Sequence, residues 1–384
     1  MDLVVVESGA KAKTIQKYLG KNILVRASNG HVQDLPNKGK DGSKAVWKHT
    51  ESALPDPPWS WTERAEKNIK KILSDARSKK VKRVLIATDP DREGEFIAWR
   101  LSELFSEFKE IKRITFNEIT KTAIRDALDE AGSVDMNLVD AAKVRRFMDR
   151  LIGYRASRFA RSWSLSSMGR VQTPALAFIV NKEKDIQKFV ATPYWAVQAL
   201  ASGIDFRVRF HDRDDPLVWK DEKGKLDTHR TNSTDSAKKV FDSLNFEKQI
   251  IISKLTLNTY KRRPKAPFTT DTLLQAAGSK YSWRPSNTMR VAQGLYEAGH
   301  ITYMRTDSTR TSASSREKAH EKIMSKWGKE LLGKGVGGGK PKSGIQDAHE
   351  AIRPTDPLVV LPGGLDESQV RLYRLIWSRL VASQ

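Results

Sequence analysis

Three carboxylates occur within five residues of this sequence, in the segment Thr88-Asp-Pro-Asp-Arg-Glu-Gly-Glu95. Asp89, Asp91 and Glu93 repel one another unless a cation joins them. Their hard oxygen atoms suit Mg²⁺, which takes one or two protein carboxylates and leaves its other positions to water and phosphate oxygens. The segment therefore indicates phosphoryl chemistry, although the first turn of a helix with Asp91 as its N-cap would explain the same acids.

Two apolar runs indicate how a fourth carboxylate joins this cluster. Residues 3–6 and 84–87 are continuous apolar segments, each followed by a helical pattern, which is typical of buried parallel strands. Functional groups gather at the carboxyl ends of such strands. Glu7, which comes directly after the first run, is therefore expected beside Asp89 and Asp91. Lys11 lies at the predicted start of the next helix, where a phosphate binds well.

Two later segments carry candidate catalytic side chains. Tyr303 is a candidate nucleophile because Arg305 would favour its phenolate and hold a phosphate oxygen. A single tyrosine in a strand is nevertheless more often a core residue. His349 would donate a hydrogen bond to a phosphate, with Arg353 four residues later on the same face if the segment is helical. An isolated histidine is likewise more often structural.

The charge balance of the chain indicates a polyanionic partner. Its 384 residues include 68 Lys and Arg against 46 Asp and Glu, a net charge of +22, and nucleic acid is the leading candidate for such a protein. Residues 141–170 carry eight Lys or Arg against one acid, Asp149. The absence of cysteine excludes disulfides and thiolate zinc sites within these residues. No signal peptide or apolar run of membrane-spanning length is present, so we expect a cytoplasmic protein that does not contact membranes.

Five segments together resemble the type IA DNA topoisomerases and occur in that family's order. They are Val4 to Ile15, Thr88 to Glu95, Gly169 to Pro174, Ile301 to Ser308 and Ala348 to Thr355. The resemblance covers essentially the whole chain. It implies an α/β plus α+β multidomain fold, in which a Toprim parallel-sheet domain is followed by the helical, β-arch and nucleophile-bearing helical domains of an incomplete type IA toroid.

The changes of pattern along the chain and this resemblance together predict five segments. These are a Toprim domain, residues 1–134; a helical domain that binds single-stranded DNA, 135–190; a β-rich arch, 191–262; a nucleophile domain, 263–367; and the start of a return to the arch, 368–384. Because the sequence stops directly after an amphipathic helix, we expect the N-terminal part of a longer polypeptide. Alone, such a part would cleave DNA weakly and would not relax supercoils.

The resemblance also implies the reaction, which is ATP-independent relaxation of negatively supercoiled DNA. Tyr303 would attack one strand to leave a 5′-phosphotyrosyl link and a free 3′-hydroxyl. Arg305 would stabilise the transition state. Lys11 would protonate or orient the leaving oxygen, and His349 would support the scissile phosphate. Glu7 would take part in catalysis as well as in metal binding.

Two larger sets of residues come from the same resemblance. The ligands of Mg²⁺ would be the carboxylates Glu7, Asp89 and Asp91, with Glu93 in the same cluster. Contacts to DNA would come from His31, Arg145, Arg146, Asp149, Tyr154, Arg161, Ser167, Met168, Gly169, Arg170, Val171, Gln172 and Arg353. Such contacts hold the phosphate backbone without reading its sequence. A solvated helix face explains each single arginine as well, and this applies most to Arg161.

Three alternatives share part of this pattern. A Toprim primase or nuclease would need the carboxylates but no tyrosine adduct. A non-catalytic fragment that binds single-stranded DNA would need only the charge. The topoisomerase module of a reverse gyrase would share every motif. For the main interpretation we expect a monomer that is associated with the nucleoid.

Overall fold

The computed structural model describes residues 1–36, 59–247, 249–260, 262–336 and 350–384. The chain divides into two compact units, of which the first comprises Met1–Arg158 with Arg262–Gln384 and the second Phe159–Lys261. The five segments expected from the sequence are a finer division than this one, and their boundaries stay a prediction.

The elements of the first unit come from both ends of the chain. Its N-terminal part contains β1 (Asp2–Val6), α1 (Gly9–Leu19), β2 (Ile23–Ala27), β3 (Gln33–Asp34), β4 (Ser60–Trp61), α2 (Ala65–Ser78), β5 (Arg83–Ile86), α3 (Arg92–Leu104), β6 (Glu110–Arg113), α4 (Lys121–Asp129) and α5 (Met136–Ser162), whose last residues belong to the second unit. The second unit continues with α6 (Gln172–Gln187), β7 (Gln198–Ala201), β8 (Ile204–Arg207), β9 (Trp219–Lys220), β10 (Leu226–Asp227) and α7 (Thr234–Glu247). The first unit is completed by α8 (Thr270–Tyr281), α9 (Pro285–Glu297), α10 (Ala313–Trp327), a 3-10 turn (Lys329–Leu331) and α11 (Glu367–Ala382).

A parallel sheet in the order β2-β1-β5-β6 lies at the centre of the first unit. Its central strands β1 and β5 are rich in apolar residues because both faces of the sheet are covered. Val4 and Leu85 belong to a core that also takes side chains from α1, α4, α8, α9 and α11. Leu3 and Val84 point to the other face, where α2 and α3 cover them. The C-terminal part of the chain thus contributes to the same core as one face of the sheet.

The second unit is built from short antiparallel ribbons and two further helices. β7 and β8 form an antiparallel ribbon within the segment predicted to be β-rich, and in it Gln198 pairs with Arg207. β9 and β10 form a second antiparallel pair. The core of this unit is small, with Val218, Trp219 and Ala237 among its buried side chains.

A buried ion pair holds the loop that comes after β5. Arg113, at the end of β6, donates to Glu95 Oε2 at 2.9 Å, and both side chains are almost fully buried. The same guanidinium donates to the carbonyl oxygens of Thr88 and Asp89, each at 2.9 Å. Because the donors of Arg113 have fixed geometry, this pair determines where the residues after β5 lie.

We predict that Glu95→Gln lowers the free energy of unfolding by about 3 kcal/mol, because it leaves the charge of Arg113 buried and uncompensated. Urea unfolding followed by tryptophan fluorescence measures the change. Glu107→Gln is the control, since Glu107 pairs with Arg77 at the solvent-exposed surface, and its unfolding midpoint should stay nearly the same. Equal midpoints for the two variants would contradict the assignment of this role to Arg113.

Candidate active site

The ends of β1 and β5 bring two carboxylates and a lysine together. Glu7 comes directly after β1, and its Oε1 accepts a hydrogen bond from the backbone N–H of Asp89 at 2.8 Å. Lys11, in the first turn of α1, donates to Asp89 Oδ1 at 2.9 Å. Only 1% of Lys11 is exposed, and its ammonium lies 5.1 Å from the centre of the Phe116 ring. The expected meeting of Glu7 with Asp89 at this edge of the sheet is therefore present.

Asp91 has a structural contact and a contact with the candidate nucleophile. It is the N-cap of α3, and its Oδ1 accepts from the backbone N–H of Gly94 at 2.7 Å. Its Oδ2 accepts a hydrogen bond from the Tyr303 hydroxyl at 2.5 Å and lies 3.6 Å from Arg305 Nη1. A Cβ atom at Gly94 would overlap the carbonyl oxygen of Asp89, so the loop requires glycine here. The helix-cap interpretation of Asp91 is therefore confirmed, and its other carboxylate oxygen faces the candidate nucleophile.

Backbone and ring contacts hold Tyr303 at this edge. Its N–H donates to the carbonyl oxygen of Asn117 at 2.8 Å, which attaches the segment to the loop after β6. The residue is 2% exposed, and its ring packs edge-on against Tyr296, with ring centres 5.2 Å apart. Tyr303 is therefore buried like an ordinary core tyrosine, and its hydroxyl also reaches the carboxylate of Asp91.

Burial and neighbouring carboxylates shift two pKa values in this cluster. Burial, and then the carboxylate of Asp89, raise the pKa of Glu7 to about 7. Burial and the carboxylate of Asp91 raise the pKa of Tyr303 far more than Arg305 lowers it. The phenol is therefore protonated in this arrangement: Arg305 favours the phenolate, as expected, but burial and Asp91 outweigh it.

Glu93 lies in a separate cluster with two of the predicted DNA contacts. Its Oε2 is 3.2 Å from His31 Nε2 and 2.8 Å from Arg146 Nη2. These two partners hold the pKa of Glu93 at about 2, with the hydrogen bond from His31 as the larger cause. Arg146 also donates to Asp34 Oδ1 at 2.7 Å. In this arrangement the guanidinium of Arg146 compensates the charge of Glu93.

Arg353 is buried and paired, which differs from the exposed phosphate contact expected from the sequence. Its guanidinium lies 3.0 Å from Glu118 Oε2 and 2.6 Å from Glu350 Oε2, and 4% of the side chain is exposed. It also donates to Ser312 Oγ at 3.2 Å. In the position described, Arg353 connects the loop after β6 with the C-terminal part of the first unit.

The remaining predicted DNA contacts lie in two places. On α5, Arg145 is 4.0 Å from Asp149, and Tyr154 is exposed beneath the guanidinium of Arg150. The others belong to the second unit, where they lie at the end of α5 and in the turn into α6: Arg161, Ser167, Met168, Gly169, Arg170, Val171 and Gln172. His349 lies outside the described residues.

The donor chemistry fits a divalent cation, although the carboxylates are paired within the protein. Among the described residues, no three His, Asp or Glu side chains are grouped closely enough to hold a metal ion. Lys11 donates to Asp89 and Tyr303 donates to Asp91, so a metal would displace Lys11 from Asp89 and would share the Asp91 carboxylate with Tyr303. Burial first, and then the carboxylate of Asp89, raise the pKa of Glu7, and a bound cation would favour the ionised form of this side chain. The hard oxygen donors of the cluster are those that Mg²⁺ prefers.

Some residues of the site were not predicted from the sequence. Asn117 contributes a backbone carbonyl oxygen, which no side-chain pattern reveals. Tyr296 lies in an amphipathic helix, where a tyrosine is indistinguishable from an ordinary core residue. Glu118 pairs with Arg353, which is 235 positions away along the chain. Only the fold brings such partners together.

A parallel sheet with carboxylates at adjacent strand ends is the arrangement of a Toprim domain, and the family model described as "Toprim domain" matches residues 2–119. Toprim domains typically bind a divalent metal ion. The family model described as "DNA topoisomerase" matches residues 133–384. The chain therefore belongs to the type IA DNA topoisomerase family.

A solved structure agrees with this assignment. The full-length topoisomerase I of Thermotoga maritima is similar to the chain, with 33% sequence identity and a TM-score of 0.78. The match covers 100% of this chain and 60% of that one, so the chain spans less than two thirds of the length of the Thermotoga protein. None of the helices in the described ranges is long and apolar enough to cross a membrane.

The raised pKa of Glu7 gives a prediction for metal-free protein in EDTA. The folded form binds a proton between pH 4.5 and about 7 that the unfolded form has released, so stability falls as pH rises through this range. Glu7→Gln removes this contribution. The free energy of unfolding of the variant, relative to the parent, should therefore rise between pH 5 and 7.5. A difference that stays constant with pH would contradict the raised pKa.

Proposed function

We propose that this site cleaves and rejoins one strand of DNA through Tyr303, as the chemical step of ATP-independent relaxation of negatively supercoiled DNA. The main support is the position of the phenol, whose hydroxyl lies 2.5 Å from Asp91 at the strand ends of the Toprim domain. A primase or nuclease built on these carboxylates would need no tyrosine there. Membership of the type IA family supports the same reaction.

The bonds exchanged in this reaction balance without an external energy source. The phenolic oxygen of Tyr303 forms a bond to phosphorus while the bond from phosphorus to the 3′-oxygen breaks. The phenolic proton passes to Asp91, which already accepts it in a hydrogen bond. The 3′-oxygen leaves as a hydroxyl after it takes a proton. One phosphodiester replaces another, so the reverse reaction reseals the strand.

Lys11 and Arg305 supply the positive charge that this exchange needs. Because the pKa of Tyr303 is raised, its proton must leave as the bond to phosphorus forms rather than beforehand. Arg305 is half-exposed beside Asp91 and would stabilise the negative charge on the phosphate oxygens. Lys11 would donate a hydrogen bond or a proton to the leaving 3′-oxygen, and for this it must leave Asp89.

Glu7, Asp89 and Asp91 would hold Mg²⁺, with Glu93 as a further acidic residue nearby. When bound, the ion supplies positive charge to phosphate oxygens near the reacting centre. The metal ligands and the groups proposed to react lie on different segments, because Tyr303 and Arg305 belong to the C-terminal part of the first unit rather than to the acidic loop.

The substrate we propose is single-stranded or underwound DNA. The net charge of +22 and the basic residues of α5 support phosphate contacts that depend strongly on salt. His31 and Arg146 lie at Glu93 and would bind a phosphate once that carboxylate is neutralised. A monomeric enzyme in the cytoplasm, associated with the nucleoid, completes the proposal.

The first prediction concerns the nucleophile. The protein incubated with end-labelled single-stranded DNA and then denatured should carry the label covalently, and Tyr303→Phe should carry none. Tyr281→Phe is the control, because Tyr281 lies in the same part of the chain and donates its hydroxyl to the carbonyl oxygen of Arg371. It should trap label like the parent. An adduct that persists in Tyr303→Phe would exclude this tyrosine.

The second prediction concerns the metal. Asp89→Asn combined with Asp91→Asn should abolish Mg²⁺ binding in isothermal titration calorimetry, because two of the proposed ligands lose their charge. Asparagine keeps the N-cap of α3. The Kd for single-stranded DNA should change by less than about threefold, since contacts from the basic helices dominate affinity.

Asp126→Asn is the matched control for this experiment, because Asp126 is an exposed carboxylate of α4. It should bind Mg²⁺ like the parent. Unchanged Mg²⁺ binding by the double variant would mean that Asp91 serves only as a helix cap and that Asp89 serves only as the partner of Lys11.

A further inference from the structure

Tyr296 is a buried residue beside the nucleophile to which the reaction above assigns no task. It lies near the end of α9, seven positions before Tyr303, and is 0% exposed. Its ring meets the Tyr303 ring edge-on at 65°, with centres 5.2 Å apart. The ammonium of Lys11 lies 5.8 Å from the centre of the same ring. Tyr296 therefore contacts both the proposed nucleophile and the proposed proton donor.

The hydroxyl of Tyr296 forms no hydrogen bond of standard geometry among the described residues, although it is fully buried, and the side chain of Asp89 is the acceptor that it faces. A buried hydroxyl without a partner destabilises a protein, and phenylalanine would fill the same space without this cost. Burial and the nearby carboxylates of Asp89 and Glu7 raise the pKa of this hydroxyl, so the group faces the acidic cluster as a neutral donor. A state in which the hydroxyl finds an acceptor would account for its presence.

Such a state would arise if the contact between Lys11 and Asp89 were broken. In the arrangement described, Lys11 occupies Asp89 Oδ1. When Lys11 turns away from Asp89 while no cation is bound there, Asp89 loses a charge-assisted hydrogen bond inside the protein. An uncompensated buried carboxylate is strongly unfavourable, so a replacement donor at this point would make the movement of Lys11 easier.

We propose that Tyr296 is a positioning residue of the cleavage site: its ring holds Tyr303 against the acidic cluster, and its hydroxyl donates to Asp89 when Lys11 leaves that carboxylate. The inference rests on the proposed function for the reason why Lys11 moves. The exchange of donors at Asp89 is a property of the fold and is measured without DNA.

A double-mutant cycle in thermal unfolding tests the exchange of donors. With Lys11 present, Tyr296→Phe should leave Tm unchanged or raise it, because it removes a buried hydroxyl that makes no well-aligned hydrogen bond. In the Lys11→Met background the hydroxyl serves Asp89, so the same substitution should lower Tm by about 3 °C. The two effects would then have opposite signs or clearly different sizes. Equal effects of Tyr296→Phe in both backgrounds would overturn the proposal.

Single-turnover cleavage of labelled single-stranded DNA is the second test of the role of Tyr296. It does not require the Lys11→Met variant, so it applies even if that variant does not fold. Tyr296→Phe should slow formation of the Tyr303 adduct about tenfold, the effect of one hydrogen bond in the transition state. Its Kd for DNA should match that of the parent. A cleavage rate within twofold of the parent would overturn the proposal.

Tyr373→Phe is the matched control, because Tyr373 is equally buried but donates its hydroxyl to the carbonyl oxygen of Val359 at 2.7 Å. It should lower Tm and leave the cleavage rate unchanged, the reverse of Tyr296→Phe. If the parent protein forms no adduct with DNA, the proposed function fails, and the thermal cycle still decides whether Tyr296 serves Asp89.

Discussion

The buried pair of Lys11 and Asp89 is the interaction on which the arrangement of the site depends. Neither a lysine nor an aspartate is buried without a partner at acceptable cost, so the start of α1 and the loop after β5 must meet. Their 2.9 Å contact fixes the acidic loop relative to β1. The N–H of Asp89 also reaches Glu7, and this brings the second carboxylate into the same place.

The C-terminal part of the first unit brings the tyrosine to this fixed cluster. Besides the shared apolar core, Thr14 Oγ1 donates to the carbonyl oxygen of Glu297 at 2.8 Å, and Arg353 pairs with Glu118. These contacts join residues that are distant from one another along the chain. Because they set the distance from the phenol to Asp91, the reactivity of Tyr303 depends on tertiary contacts as much as on its neighbours in the sequence.

Much of the N-terminal part of the first unit could be predicted from the sequence because its signals are local. The apolar runs of residues 3–6 and 84–87 form most of β1 and β5, and parallel strands place the residues after them at one edge of the sheet. The C-terminal amphipathic pattern likewise forms α11, with Leu372 and Ile376 buried. In each case a pattern within a short segment of the sequence is enough to predict the element.

The pKa values and ion pairs of the site could not be predicted in this way, because they depend on residues that only the fold brings together. Arg305 was expected to favour the phenolate of Tyr303, but burial and Asp91 have the larger effect. Arg353 was expected to face DNA, and it is buried between Glu118 and Glu350. No local pattern shows that a basic side chain has two acidic partners in the folded chain.

Mass spectrometry of the trapped protein–DNA complex tests most directly whether Tyr303 forms the covalent bond. After digestion with nuclease and trypsin, the peptide of residues 291–305 should carry a nucleotide, and fragmentation distinguishes its two tyrosines, Tyr296 and Tyr303. We predict a nucleotide joined to Tyr303 through its 5′-phosphate. A nucleotide on any other residue, or one joined through a 3′-phosphate, would contradict the proposed mechanism.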